Sequence, residues 1–248
     1  MSANGFSALV AGGGSGLGAA TAALLRARGY AVAVLDRRLD TAARDMSVEG
    51  DVRDPAAVGA ALDAARARGP LRVSVCCAGV SKSVRVVGRE GVHDLALFEE
   101  IVGVNLVGTF NVLRLAAAAM RENEPDAGGE RGVIVNTASV AAFDPMIGQA
   151  AYGASKGGVV TLTFATARDL ASAGIRVLGI APGPFDTPLF ARHSEEFKAG
   201  LAAHVPFPQR LGQPEEFAGL VGALLDNRML NGTTIRLDGG IRMPPKAP

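Results

Sequence analysis

The chain of 248 residues is 48% hydrophobic and 20% charged, with a formal net charge of +1. Such a composition excludes an intrinsically disordered chain and suffices for one substantial core. Without a global basic field, nucleic acid and anionic membranes are not expected as main partners. No apolar run is long enough for a membrane span, and the opening MSANGFSALVAGGG lacks the basic start of a secretory signal.

Phe6–Ala11 is a short apolar run predicted as a strand, followed by the loop AGGGSGLG and a helix over Leu17–Arg28 that ends at Gly29. Ala31–Asp36 is a second strand, completing a βαβ unit of about thirty residues. Met46–Gly50 is a weaker strand candidate, Pro55 opens a helix over Ala56–Arg68, and Val73–Cys77 is a strand leading into Ala78-Gly79. Residues 80–93 read as a loop bearing Lys82, Arg85 and Arg89, and Asp94 can cap a long helix reaching about Arg121. Polar residues 122–131 loop into the strand Gly132–Thr137. A helix bearing Tyr152 and Lys156 then runs to about Ser172 and stops at Gly174.

Arg176–Ala181 is a sixth strand, after which the prolines of PGPFDTPLF exclude a regular element. Residues 183–212 are therefore an excursion with one short helix near Ser194–Ala203. A helix from Pro214 to about Asp226 and a strand at Thr233–Leu237 finish the chain. Alternating strands and helices imply a parallel sheet covered on both faces, and with no linker in sight residues 1–248 form a single doubly wound α/β domain of Rossmann type.

Within SVAAFDPMIGQAAYGASK, Tyr152 and Lys156 are four apart and share one helix face. A cation there can stabilise a phenolate, whose free pKa is near ~10. Ser139 ends the apolar run GVIVNTAS and can present its hydroxyl at the strand's carboxyl edge. Together the three groups can handle the proton of an alcohol or ketone but cannot carry a hydride. Gln149, between them, is a candidate pocket-lining side chain, and so is Met146, for which ordinary packing is an equal contender.

The glycine loop supplies a place for a hydride carrier. A helix N-terminus offers unpaired N–H groups and partial positive charge, and glycines admit a pyrophosphate close to the backbone. Gly12-x-x-x-Gly16-x-Gly18 stands between strand and helix as that requires, although Gly14-x-Gly16-x-x-Ala19 fits the common spacing in another register. No Lys-Ser/Thr pair follows, against an NTPase loop. Asp36 ends the second strand, where a carboxylate accepts from an adenosine ribose and repels a 2′-phosphate. At ~4 Å and an effective dielectric near ~20 that repulsion is about 4 kcal/mol. NAD is expected over NADP, with Arg37 and Arg38 as the competing feature.

Other residues read more plainly. Cys76 and Cys77 are adjacent in a strand, so they face opposite sides and do not pair. His93, His193 and His204 lack metal-ligand spacing, and no metal is assigned. The 21 arginines against 4 lysines lean toward a bacterial cytoplasm. The Ala116–Ala119 and Gly157-Gly158 stretches are read as helix-packing surfaces, and Lys82, Arg85 and Arg89 as a solvated basic loop that can also meet coenzyme A phosphates.

The combination of Gly12-x-x-x-Gly16-x-Gly18, Asp51-Val52, Ala78-Gly79, Asn105, Ser139, Tyr152-x-x-x-Lys156 and Pro182-Gly183, in this order and spacing, resembles the short-chain dehydrogenases/reductases over essentially the whole chain. Segments such as NLVGTFNVLRLA, GQAAYGASKGG and LNGTTIRLDGGIRM are similar, more narrowly, to the type-2 3-hydroxyacyl-CoA dehydrogenases. The resemblance implies a homotetrameric NAD-dependent enzyme with a seven-stranded sheet in the order 3-2-1-4-5-6-7. It places Ser15 and Leu17 at the pyrophosphate, Asp36 at the ribose, Asp51 and Val52 beside adenine, and the Cys77 backbone on the adenosine side. Phe185 and Thr187 fall at the nicotinamide end, and Pro182 is also among the cofactor-binding residues the resemblance implies. Asn105 kinks its helix and supports a water between Lys156 and solvent. Two departures stand out: Cys76 replaces an Asn that links central strands, and Asp186 puts a charge near the substrate loop.

The function implied is reversible oxidation of a 3-hydroxyacyl-CoA, with Tyr152 as general acid/base, Ser139 on the substrate oxygen and loop 183–212 as a lid. A 17β-hydroxysteroid or other secondary-alcohol dehydrogenase is the alternative within the same chemistry. A scaffold in an RNA-processing complex is the alternative outside it, disfavoured by the near-neutral charge.

Overall fold

Strands that are apolar on every residue, rather than on alternate ones, belong inside a sheet covered on both faces. The computed structural model describes residues 5–39, 46–89, 91–191 and 194–246. Along it run β1 (Ser7–Ala11), α1 (Gly16–Ala27), β2 (Ala31–Asp36), β3 (Ser47–Glu49), α2 (Pro55–Arg66) and β4 (Leu71–Cys76). A short hairpin, β5 (Val87–Gly88) and β6 (Gly91–Val92), precedes α3 (Leu95–Val102), α4 (Thr109–Arg121), β7 (Gly132–Thr137) and α5 (Ala150–Asp169). β8 (Ile175–Pro182), α6 (Glu195–Ala203), α7 (Pro214–Asp226) and β9 (Thr234–Leu237) complete the described elements. The main sheet has seven strands, all paired in parallel, in the order β3-β2-β1-β4-β7-β8-β9. That is the expected order, with its reversal between β1 and β4.

Alternate residues of the central strands feed two cores. Leu9, Ala11 and Ile134 pack with Val58, Leu62 and Met120 of the α2–α4 layer. Ala8, Val10 and Val135 pack with Leu25 of α1 and Phe217 and Val221 of α7 on the other face. Each fully buried Leu or Phe contributes roughly 1.5–3 kcal/mol. Cys76 joins the first core and Cys77 borders the second, so the two free thiols stand on opposite faces.

Three sequence expectations change. Residues 80–93 carry the β5–β6 hairpin rather than loop alone. The helix capped by Asp94, which accepts from the Ala96 N–H at 3.0 Å, is interrupted by a π-helical stretch at Gly103–Gly108 that contains Asn105. Leu95–Arg121 as a whole is also long and apolar enough to cross a membrane. Its buried side chains Ile101, Val104, Val112, Leu113 and Met120 make it a core helix instead. Its apolarity serves the sheet-facing side. His193 lies outside the described residues.

The carboxyl ends of β1, β2, β4, β7 and β8 all open at one edge, as parallel pairing requires, and the loops that follow them build the site. At the opposite end a buried arginine ties the layers together. Arg176, 7% exposed, pairs with Glu130 at 2.5 Å and donates to the carbonyls of Leu224, Leu225, Asn227 and Leu230 at the end of α7. Replacing it with Leu leaves a carboxylate and several carbonyls without their donor, and Arg176→Leu is expected to lower unfolding free energy by roughly 3–5 kcal/mol. Urea denaturation of the two proteins side by side measures this.

Candidate active site

Backbone approaches backbone at the end of β1. Gly12 has φ +76, and a Cβ there would lie 2.4 Å from the Ala78 nitrogen. A Cβ on Gly18 would lie 2.0 Å from the Gly12 carbonyl oxygen. These two positions require glycine, and they let α1 begin flush against the strand edge. Its N-cap, Ser15, makes no side-chain cap bond and the first turn carries no acid, so the N–H groups there remain directed at the cavity.

That cavity, about 240 Å³, is lined by Gly12, Ser15, Gly16, Leu17 and Gly18 at one end and by Asp36, Asp51 and Val52 at the other, with Cys77, Ala78 and Gly79 between. The Asp36 carboxylate accepts from the Gly14 N–H at 2.9 Å and the Arg38 N–H at 3.2 Å, which fixes it against the glycine loop. Asp51 is held by Arg53 at 2.7 Å, and this pairing keeps its carboxyl below the ordinary range. An uncapped helix start for a pyrophosphate and an anchored carboxylate for a diol are what a dinucleotide needs, and these residues fit one. Val80 and Val104 also line the space without having been expected there, and so does Arg37, one of the two arginines expected to compete for a 2′-phosphate.

A second cavity of about 390 Å³ holds Ser139, Gln149, Tyr152, Lys156, Pro182, Phe185 and Thr187. Leu17, Cys77, Gly79, Thr187 and Leu189 line both cavities, so the two are contiguous. Lys156 is 3% exposed, donates to the Thr137 carbonyl at 2.7 Å and sits 5.9 Å from the Tyr152 ring centroid. Burial lowers its pKa from 10.5 to about 8. Burial also raises the Tyr152 phenol above its ordinary value, and the Ser139 hydroxyl beside it opposes that rise. The Ser139 hydroxyl oxygen accepts from the Ala141 N–H at 3.1 Å, which leaves its own proton to donate into the cavity.

Asn105 lines neither cavity. Fully buried, it accepts from the Val80 N–H at 2.8 Å and donates to the Val80 carbonyl at 2.9 Å and the Ser155 hydroxyl at 3.0 Å. The loop after β4 is thereby fastened to the helix that carries Tyr152. Asp186, expected to put a charge near the substrate loop, stands in that loop between the lining residues Phe185 and Thr187, exposed and lining neither cavity itself, its N–H bonded to the Gly212 carbonyl at 2.8 Å. Cys76 does not restore the missing Asn link. The Asn136 amide oxygen, in register with it, is buried without a partner among the described residues. A Thr137 hydroxyl to Cys77 sulfur contact of 3.6 Å joins the strand ends instead. Burial pushes the Cys77 thiol up to about 12.

Sequence reasoning missed the C-terminal contribution: Met243 lines the second cavity. No periodicity marks it, since it follows the last strand in an irregular tail.

The sequence matches the short chain dehydrogenase family over residues 7–198. It is 48% identical to the bovine (Bos taurus) 3-hydroxyacyl-CoA dehydrogenase type-2, covering 98% of each chain. To the ipsdienol dehydrogenase of Ips pini it is 40% identical, covering 94% of this chain and 96% of the other. The crystal structure of 3-hydroxyacyl-CoA dehydrogenase type-2 from Mycobacterium avium superposes with a TM-score of 0.92 at 44% identity, covering 98% of each chain.

The lowered Lys156 value carries a stability prediction. Its folded pKa lies below the unfolded one, so between about pH 8 and 10.5 the unfolded chain binds more protons and this residue's contribution to stability rises with pH. Below about pH 8 the full cost is present, on the order of 3 kcal/mol, partly offset by the bond to Thr137. Relative to wild type, Lys156→Met is expected to be most favourable for stability at neutral pH, with the difference shrinking toward pH 10.5. Urea melts at stepped pH read the difference directly.

Proposed function

The chain belongs to the short chain dehydrogenase family and is an oxidoreductase, and on that footing we propose that it interconverts a 3-hydroxyacyl-CoA and the 3-ketoacyl-CoA. NAD is the hydride carrier in this reading and Tyr152 the general acid/base. The observation that carries it is the contiguity of the two cavities: a dinucleotide seated along the glycine loop would have its reactive end beside Tyr152, Ser139 and Lys156. The substrate class rests on the names of the bovine and mycobacterial relatives.

The nicotinamide supplies hydride transfer when bound, and in its oxidised form a positive charge that favours the phenolate. The remaining work falls to this chain. Ser139 donates its free proton to the substrate oxygen. Tyr152 takes the alcohol proton in oxidation and returns it to the ketone in reduction. Lys156 holds the Thr137 carbonyl and a positive charge beneath the ring, and Asn105 is a positioning residue that locks Val80 against α5. Loop 183–212, whose ends are joined by the Phe185–Gly212 bridge, contributes Leu189, Phe190 and Phe197 to the wall and acts as the lid.

The Asp36 carboxylate, held by the Gly14 and Arg38 N–H groups where it would meet a 2′-phosphate, supports NAD rather than NADP. A homotetramer belongs to the same reading. Val107 in the π-helical stretch, Phe110 on α4 and Phe164 on α5 are 45–56% exposed, apolar surface of the kind subunit contacts bury. The 40% identity to an ipsdienol dehydrogenase keeps a second reading, another secondary-alcohol substrate, in view.

Tyr152→Phe is expected to lower kcat roughly 10²–10⁴-fold while NADH binding, followed by fluorescence, is retained. Near-normal turnover would overturn the assignment, and parallel kinetics on acetoacetyl-CoA and a 17β-hydroxysteroid decide the substrate class. In the wild type NADH should be preferred over NADPH in kcat/KM, with Asp36→Ala moving the ratio toward NADPH by about tenfold or more. Equal or better use of NADPH by the wild type would refute the Asp36 argument.

A further inference from the structure

Past β9 the described residues fold back against the site as far as Pro245. Ile241 is fully buried and anchors the tail, Arg242 points outward, and Met243 turns into the second cavity. Two residues on, the Pro245 carbonyl accepts from the Ile147 N–H at 2.8 Å. The tail is thus bound to the loop between Ser139 and Tyr152, and from the other side that loop receives the Val84 N–H on its Gly148 carbonyl at 2.9 Å.

One side chain fastens this wall. The Arg236 guanidinium, 21% exposed, donates to Asp238 and to Asp144 at 2.7 Å each and to the Ile241 carbonyl at 2.9 Å. It also lies over the Phe143 ring, 5.2 Å from the centroid. Strand β9, the tail and the 143–149 loop therefore meet on a single fork of donors, a geometry that lysine cannot reproduce.

We propose that the C-terminal tail is the specificity wall of the pocket, with Met243 setting the volume open to the acyl group and Arg236, through Asp144, holding that wall in place. The inference rests on the reading of the second cavity as the substrate site. Met243 is the one lining side chain this cavity takes from beyond Phe197 among the described residues. An unbranched thioether fills irregular apolar space without demanding one shape, so its size is the variable that matters.

The test measures kcat/KM with NADH for Met243→Ala, Met243→Phe and wild type. One series is 3-ketoacyl-CoA thioesters from four to ten carbons, and a parallel one is unconjugated 2-alkanones of the same span. Met243→Ala should raise the long-to-short preference by about tenfold and Met243→Phe should lower it, with the change in KM rather than kcat. Asp144→Asn, which frees the loop without touching the cavity, should broaden the preference and raise KM several-fold at unchanged kcat. A wild type active on thioesters whose profile no Met243 variant moves overturns the tail inference and leaves the acyl-CoA reading standing. A wild type inert to thioesters but active on alkanones, with the shift present, does the reverse. Inertness to both series overturns both.

Discussion

A charged ammonium buried at the end of a strand is the constraint around which this site is arranged. Lys156 sits on the sheet-facing side of α5 with the Thr137 carbonyl as its partner, at the carboxyl end of β7. Taking that charge out of water is unfavourable, and the lowered pKa records it. What the cost secures is position: the same helix carries Tyr152 one turn earlier, so fixing Lys156 to the strand fixes the phenol opposite Ser139. The neighbouring thiols do not relieve the charge, because burial keeps both protonated.

The polar side of α5 explains further features. Its buried residues include Ser155, Lys156, Thr163 and Thr166, so the helix has no apolar stripe and is held by specific bonds. Thr163 receives Asn136 of β7, and Ser155 receives Asn105 from the π-helical stretch. The wider turn at Gly103–Gly108 brings Asn105 toward the sheet edge, where one amide satisfies both backbone groups of Val80. Close packing is possible because Gly158 faces Leu106, where a Cβ would come within 2.7 Å. The loop after β4 and the helix bearing Tyr152 are in this way joined through Asn105.

Much of this was legible in the residue order. Continuous apolar runs such as SALVA and GVIVNT can only be buried on both faces, which makes a parallel sheet, and a parallel sheet puts every strand's carboxyl end at one edge. The glycine loop, Asp36 and Ser139 stand at those ends, and Tyr152 and Lys156 lie on the helix that follows β7, so chain order gathers them. Spacing four on a helix sufficed to pair Tyr152 with Lys156.

The remainder depended on contacts between segments far apart in sequence, which no local pattern encodes. Asp186 is exposed because the backbone of its loop pairs with Gly212, something a charge in a proline-rich string does not announce. The phenol's raised pKa reflects its half-buried place in the folded site, whereas sequence offers only the nearby cation. The partnerless Asn136 oxygen requires the β4–β7 register to be known, and Met243 lines the second cavity from a tail that Arg236 joins to Asp144 and Asp238 through contacts distant in sequence. Sequence by itself determined the fold, the glycine-loop edge and the grouping of Ser139, Tyr152 and Lys156 as candidates, because periodicity and chain order are properties of neighbours. Tertiary structure decided the electrostatics and the shape of the substrate wall, because both are sums over groups that meet only when the chain has folded.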